Sequence, residues 1–336
     1  GFRIDLASVL GRPHSGSFDP NAPLLTAIAV DPVLSRVKLI AEPWDATGEG
    51  YRVGGVGVAG AEGDGRFRDA VRDFWRGHGG IGEVASRLTG SSDLYATSGR
   101  RPWASVNFVT AHDGFTLRDL VSYERKHNEA NGEYNPDGTD DNRSQNFGVE
   151  GETASADVVA KRLGTARALL GTLLLSTGTP MLLGGDERWR TQGGNNNAYC
   201  RDDGTSWVDW AALPEAESLT AFVARLTEIR RSSPNLQRDT FYRDGEVLWW
   251  HPAGRRIGGH DWHDGELRTL GLLRGEWLLV LHAGGDPMPD VLPPDGPFVP
   301  SLDSTSPDGA PADATPLDGG KSVLLAPRSL LLLRGA

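Results

Sequence analysis

The chain has 336 residues, enough for one large α/β domain and a smaller companion. Its 38% hydrophobic and 24% charged residues describe a globular protein, and a formal net charge of −11 argues against nucleic acid or an anionic membrane as partner. A single cysteine, Cys200, excludes an internal disulfide framework and a multi-cysteine metal site, and it fits a reducing, cytoplasmic compartment.

No apolar run reaches the ~18 residues expected of a membrane span. The chain opens on Gly1 rather than Met, and straight onto a strand, so the expectation is that further residues precede it. Residues 1–7 read as a short strand ending near Asp5, and residues 11–23 as a loop. A weak helical segment over 24–30 leads into residues 37–41, a mainly apolar run of buried-strand length whose one charge is Lys38. Glu42 stands where that run stops. Pro43 ends it, having no N–H for a ladder bond. A carboxylate at the end of a buried strand is costly unless it is paired or put to use. Taken alone, Glu42 reads equally as an ion-pair partner or as an acid on the active face of an α/β barrel. Residues 48–65 are so rich in glycine that no regular element is expected there, only a loop over a site or a flexible linker.

Phe67, Ala70, Val71 and Phe74 recur at i, i+3, i+4 and i+7, which predicts a helix over 67–75 stopped by Gly77. A second helix follows over 81–88. Residues 106–111 form the next expected strand, with His112-Asp113-Gly114 at its end. A helix over 117–127 has Thr116 as its N-cap, and 128–149 is a long polar loop of the kind that is usually functional or disordered. The longest helix is expected over 157–176, with Val159, Leu163, Ala166, Leu170, Leu173 and Leu174 on one face and Gly178 as its stop. Residues 180–184 read as a short buried strand, and 218–232 as the last helix, closed by Pro234. Beyond about 236, short apolar runs alternate with Gly/Pro/Asp turns, the texture of an antiparallel β domain, with 286–321 as loop. Alternating strands and helices followed by strands alone predict a parallel α/β unit over 1–235 and an antiparallel β-sandwich over 236–336.

Asp5, Glu42 and Asp113 each follow a predicted strand. In a parallel barrel those ends share one face, so acids far apart in sequence converge. Three acids in a small site repel, and at least one should bind its proton more tightly. Glycosidic cleavage needs such a set. One carboxylate attacks the anomeric carbon, one carboxylic acid protonates the leaving oxygen, and a pair about 5 Å apart implies retention. Glu42, after its apolar strand, is the acid to be held protonated. Arg3, on the same strand face as Asp5, either keeps a nucleophile charged or forms a plain strand-end salt bridge. His112 can hydrogen-bond sugar hydroxyls, or be a structural histidine on a backbone carbonyl. Phe2, Trp44, Tyr51 and Phe115 lie near these ends. Trp44, just past a strand, is the one expected to stack on a sugar ring; aromatics as a class are more often core. Asp137, Asp140 and Asp141 lack the spacing of a calcium loop, and the Gly-rich segment has no phosphate-binding pattern, so no metal or cofactor is expected.

Gly1-Phe2-Arg3-Ile4-Asp5, Ala41-Glu42-Pro43-Trp44-Asp45 and Thr110-Ala111-His112-Asp113-Gly114 resemble three signature regions of the α-amylase superfamily, glycoside hydrolase family thirteen. FRDAVRDFWRG from Phe67, LTGSSDL from Leu88, VNFVTAHDGFTLRDL from Val106, KHNEANGE from Lys126 and GGNNNAYC from Gly193 are similar to its glycogen-debranching, isoamylase-like branch. The resemblance implies the C-terminal part of a TIM (β/α)8 barrel, from about the fourth strand on, followed by a β-sandwich. It implies Asp5 as nucleophile, Glu42 as general acid/base and Asp113 as transition-state stabiliser, with Arg3 orienting the nucleophile and His112 touching the sugar. The implied reaction is hydrolysis of α-1,6 branch points in glycogen or limit dextrin, with retention. Three departures stand beside it. The family's N-terminal β domain, its first three barrel strands and the early signature region that supplies an Asp and a His are not in the chain. Residues 53–65 replace a segment that carries a Trp and an Asn in the family. Gln145 and Phe147 stand where Trp and Cys are expected. Five strands cannot close an eight-stranded barrel, which makes a non-catalytic glucan-binding protein one alternative; a glucanotransferase, with the same acids and a different acceptor, is the other.

Overall fold

The computed structural model describes residues 1–12, 16–45, 47, 50–56, 60–211 and 213–335. Five short parallel strands form the first sheet: β1 (Phe2–Ile4), β2 (Leu39–Ala41), β3 (Ala61–Asp64), β4 (Ser105–Asn107) and β5 (Thr179–Pro180), paired in that order. Helices lie in three of the four crossovers; among the described residues none lies between β2 and β3. α1 (Pro23–Val30) lies between β1 and β2. α2 (Gly65–Trp75), α3 (Ile81–Leu88) and α4 (Ser92–Tyr95) lie between β3 and β4. α5 (Leu117–Leu120) and α6 (Ala156–Leu175) lie between β4 and β5, and α7 (Pro214–Ser232) follows. Parallel neighbours in chain order joined by helices are barrel architecture, here with β1 and β5 as edges.

α2 and α3 match their predicted spans closely because each has one apolar face, and α2 also has a marked start. The Asp64 carboxylate caps α2 by accepting the Phe67 N–H at 2.9 Å. The expectation of an irregular stretch over 48–65 is corrected: Ala61–Asp64 is a strand, buried along its whole length. Its glycines answer to crowding rather than to freedom. A Cβ on Gly63 would lie 3.3 Å from the Trp44 ring, and one on Gly65 only 2.7 Å from the Tyr51 hydroxyl. Residues 48, 49 and 57–59 of that stretch, and 13–15 of the first loop, lie outside the described residues.

The helix expected over 117–127 stops at Leu120. The Leu120 carbonyl accepts the Gln145 N–H at 3.0 Å, and the Glu124 N–H goes to the Glu150 carboxylate at 2.9 Å, so that rung of the helical ladder is taken by the long loop. The strands expected over 106–111 and 180–184 shrink to β4 and β5, whose last shared bond is Met181 N–H to Asn107 O at 2.8 Å.

α6 was expected to bury one face, yet Thr165 to Leu175 is buried all round. The Trp75 indole donates to Thr172 Oγ1 at 3.0 Å on one side, and Arg230 of α7 donates to the Leu174 carbonyl at 2.7 Å on another. The third side meets the antiparallel strands.

Those strands begin at Val247, beyond the short turn Pro234–Leu236. They are β6 (Val247–His251), β7 (Arg255–Arg256), β8 (Thr269–Arg274), β9 (Trp277–His282), β10 (Met288–Val291), β11 (Phe298–Asp303), β12 (Ser322–Leu325) and β13 (Ser329–Gly335). Six form one sheet, in the order β11-β13-β9-β8-β6-β7, and β10 pairs with β12 in a second. β10 and β11 correct the reading of 286–321 as loop. Pro289 and Pro300 disguised them, because each sits in a strand that has only one ladder partner. In β9, Leu279 and Leu281 join the core shared with α6, while Leu278 and Val280 join Phe298, Leu292 and Leu325 between the two sheets. One run of apolar residues thus serves two cores at a period of two. The fold is part of a (β/α)8 barrel followed by an antiparallel β-sandwich. Among the described residues, no helix is long and apolar enough to cross a membrane.

Candidate active site

Register assembles the site. Ile4 pairs with Ala41, so the next residues, Asp5 and Glu42, leave adjacent parallel strands side by side. Single ligand atoms from Asp5, Glu42 and His112 all lie within 4.8 Å of one another. His112 Nε2 is 3.9 Å from Asp5 Oδ1, and its Nδ1 is 3.6 Å from Asp113 Oδ1. The four side chains at β1, β2 and the turn after β4 therefore meet at one end of the sheet.

Their environments differ. Asp5 is open to solvent, whereas the Glu42 side chain is 2% exposed. Glu42 Oε1 accepts Arg3 Nη2 at 2.8 Å, and Oε2 accepts the Leu6 N–H at 2.9 Å. Burial raises the Glu42 carboxyl above the usual range, and the neighbouring acids Asp5 and Asp113 push the same way. The Leu6 N–H and the Arg3 charge oppose them. Arg3 also donates from Nη1 to Asp5 Oδ1 at 3.1 Å, so one guanidinium bridges both carboxylates.

Trp44 is half-buried in an aromatic group. It stacks on Tyr51 with centroids 6.4 Å apart and tilts against Phe108 at 6.0 Å, with the Arg68 guanidinium 6.0 Å from its ring centroid. Tyr51 is the more exposed of the stack. Phe115 is core, and Phe2 is exposed on the edge strand β1, where it pairs with Leu39 at the start of the ladder, away from Asp5.

Sequence reasoning missed the buried acids that hold the loops. Asp45 accepts Ser8 Oγ at 2.6 Å and the Thr47 N–H at 2.8 Å, and it pairs with Arg12, tying the loops after β1 and β2 together. Glu62, on β3, accepts the Gly54 N–H at 2.7 Å, the Val56 N–H at 3.2 Å and Arg100 Nη1 at 2.5 Å. Asp186, in the short turn after β5, accepts from Thr110 Oγ1 and from the Leu117 N–H. Asp45 and Asp186 lie just past short apolar runs, the signal that marked Glu42, whereas Glu62 lies in the glycine-rich stretch and carried none. Asp137 sits among asparagine amides, Asp140 against a lysine and Asp141 3.4 Å from Arg143 Nε. Asp137 Oδ2 accepts from Asn131 at 2.8 Å and Asn197 at 2.9 Å, while Lys126 Nζ lies 3.0 Å from Asp140.

Parallel strands that carry paired acids at one end, backed by a β-sandwich, define the α-amylase type of glycoside hydrolase fold. The chain belongs to the glycogen-debranching, isoamylase-like branch of that superfamily. It is 48% identical over 296 residues to a glycogen debranching enzyme of Serratia proteamaculans, covering 87% of this chain and 44% of that protein. It is also 48% identical over 301 residues to a glycogen operon protein GlgX homolog of Mycobacterium bovis, covering 86% and 42%. The chain thus spans less than half the length of these relatives. Among solved structures it resembles pullulanase type I from Bacillus subtilis, crystallised with maltose (TM-score 0.67, 20% identity, 100% of this chain and 43% of that one). It is similar in the same way to a pullulanase from Bacillus acidopullulyticus (TM-score 0.65, 18% identity, 99% and 37%). No family model matches the chain.

Proposed function

We propose that these residues carry the chemistry of a retaining α-1,6-glucosidase acting on branch points of glycogen or limit dextrin. The observation that carries the reading is the Asp5–Glu42 pair, with carboxylate oxygens within 4.8 Å. Two carboxyl groups this close suit attack by one of them on the anomeric carbon, the arrangement of a retaining mechanism. In this reading Asp5 attacks the anomeric carbon while Glu42 gives its proton to the departing 6-oxygen. Glu42, deprotonated, then takes a proton from water, which cleaves the glycosyl–Asp5 bond and restores both groups. The raised Glu42 carboxyl supports the acid role, since burial makes it hold its proton more tightly than an exposed carboxyl. The Asp113 carboxylate stabilises the positive charge that develops on the sugar, and His112 hydrogen-bonds a sugar hydroxyl. Trp44, just past β2 and stacked on Tyr51, is the ring offered to the sugar. A net charge of −11 suits a neutral polysaccharide, which needs no electrostatic steering. We assign the protein to the cytoplasm, where the lone thiol Cys200 stays reduced.

The test is Glu42→Gln in the natural full-length protein. Release of side chains from a branched limit dextrin should fall by about a thousandfold or more; release at the wild-type rate contradicts the assignment. Chromatography of the products separates free linear chains, expected of a hydrolase, from chains moved to a new acceptor.

A further inference from the structure

The turn that brings His112 and Asp113 to the acids is fastened at both ends by one side chain. Asp186 is fully buried and begins the turn Asp186–Arg188 that follows β5. Its Oδ2 accepts the Thr110 hydroxyl, two residues before His112, and its Oδ1 accepts the Leu117 N–H at 2.9 Å, four residues after Asp113. Between these anchors Gly114 has φ +144°, a conformation that favours glycine, while Phe115 beside it packs in the core. The Leu117 N–H is one of the helix-start donors without an intrahelical acceptor, and Asp186 satisfies it.

We infer that Asp186 is a positioning residue, a buried clamp that sets where His112 and Asp113 stand against the Asp5–Glu42 pair. The inference rests on the proposed hydrolysis for its catalytic consequence, and on the geometry alone for the clamp. Among the described residues, no cation lies within salt-bridge distance of this carboxylate. Arg190, Glu187 and the buried Arg72 are the charged groups that act on it. Arg72 donates instead to the Val109 carbonyl at 2.8 Å, next to Thr110, so the start of the turn is held from a second side. A buried acid without a cation is costly. What it supplies is two acceptor oxygens at once for donors seven residues apart in the chain. Burial pushes its carboxyl up to about 7. Asparagine is nearly isosteric. It keeps an acceptor for the Leu117 N–H, and its NH2 meets the Thr110 hydroxyl, which can rotate to accept. Alanine supplies neither.

The test compares Asp186→Ala, Asp186→Asn and Thr110→Val in the natural full-length protein. Asp186→Ala and Thr110→Val should each lower kcat on branched dextrin by about tenfold or more with KM changed by less than about threefold, while Asp186→Asn recovers most of the loss. Hydrogen exchange of the segment 108–117 should quicken in the first two variants with α6 unchanged. Thr110→Val keeps the shape of the side chain and carries the test should Asp186→Ala fail to fold. Wild-type kcat and wild-type exchange over 108–117 in Thr110→Val overturn the clamp, as does quickened exchange that extends equally to α6. If the wild-type protein releases no chains, the proposed reaction fails, and the exchange arm still decides the clamp.

Discussion

Arg3 and Glu42 stand on adjacent parallel strands, and their side chains meet at 2.8 Å, Arg3 Nη2 donating to Glu42 Oε1. The same guanidinium reaches Asp5 Oδ1 at 3.1 Å. The proposed acid and nucleophile therefore share one counter-charge. The Arg3 charge opposes the burial that raises Glu42, so its removal should raise that carboxyl further.

Arg3→Gln accordingly has two expected effects. The alkaline limb of the kcat–pH profile moves to higher pH, because Glu42 keeps its proton longer. The plateau falls by about ten- to a hundredfold, because neither carboxylate is held in place. An unchanged alkaline limb would show that Glu42 is not the titrating acid.

Asp186 makes stability depend on pH in a direction that can be worked out. Its folded carboxyl titrates at about 7, against about 3.9 in an unfolded chain. The native state thus binds the proton more tightly, and the stability this confers is complete below about pH 4 and lost as pH rises through 7. Asp186→Asn does not titrate. The wild type should therefore lose up to about 4 kcal/mol relative to that variant between pH 4 and pH 8. Parallel stability curves for the two proteins, measured by urea unfolding across that range, would contradict it.

Glu62 and Arg100 form a buried pair beneath the loop that carries Tyr51 and Arg52. Glu62→Ala removes the carboxylate partner of the guanidinium, which keeps the Gly54 carbonyl and Ser98, and frees the Gly54 and Val56 N–H groups. The expected loss is about 3–5 kcal/mol, read as a lower urea midpoint. A midpoint within error of the wild type would mean that the pair contributes nothing.

The barrel and the sandwich are joined where Gly171 of α6 faces Leu330 of β13. A Cβ on Gly171 would lie 2.8 Å from Leu330 Cδ1, the far end of a flexible side chain. Gly171→Ala should be tolerated with a change within about 1 kcal/mol, since its helix propensity offsets the crowding. Gly171→Leu should cost about 1–3 kcal/mol by overpacking. Equal midpoints for the two variants would show that the contact is looser than it stands.

Local features were the legible ones. α2 and α3 declare themselves through apolar periodicity. The Asp5–Glu42 pair follows once two short strands are taken as parallel neighbours, because a parallel register carries equivalent ends to one place. What escaped was set by contacts between distant segments. The Gln145 N–H, twenty-five residues on, occupies the Leu120 carbonyl and ends α5 early. β3 hides behind glycines whose purpose is visible only once Trp44 and Tyr51 stand beside them. Arg3 reads from the sequence as the partner of Asp5, and its bond to Glu42, thirty-nine residues away, appears only in three dimensions. The clamp at Asp186 joins positions seventy-six residues apart, with no periodicity to announce it.

The most direct test of the central claim is the anomeric configuration of the first product. Proton NMR of the natural full-length protein acting on a branched limit dextrin should record the α-anomer of the released chain before mutarotation, as attack by Asp5 beside Glu42 predicts. First appearance of the β-anomer, or no released chain at all, would contradict it.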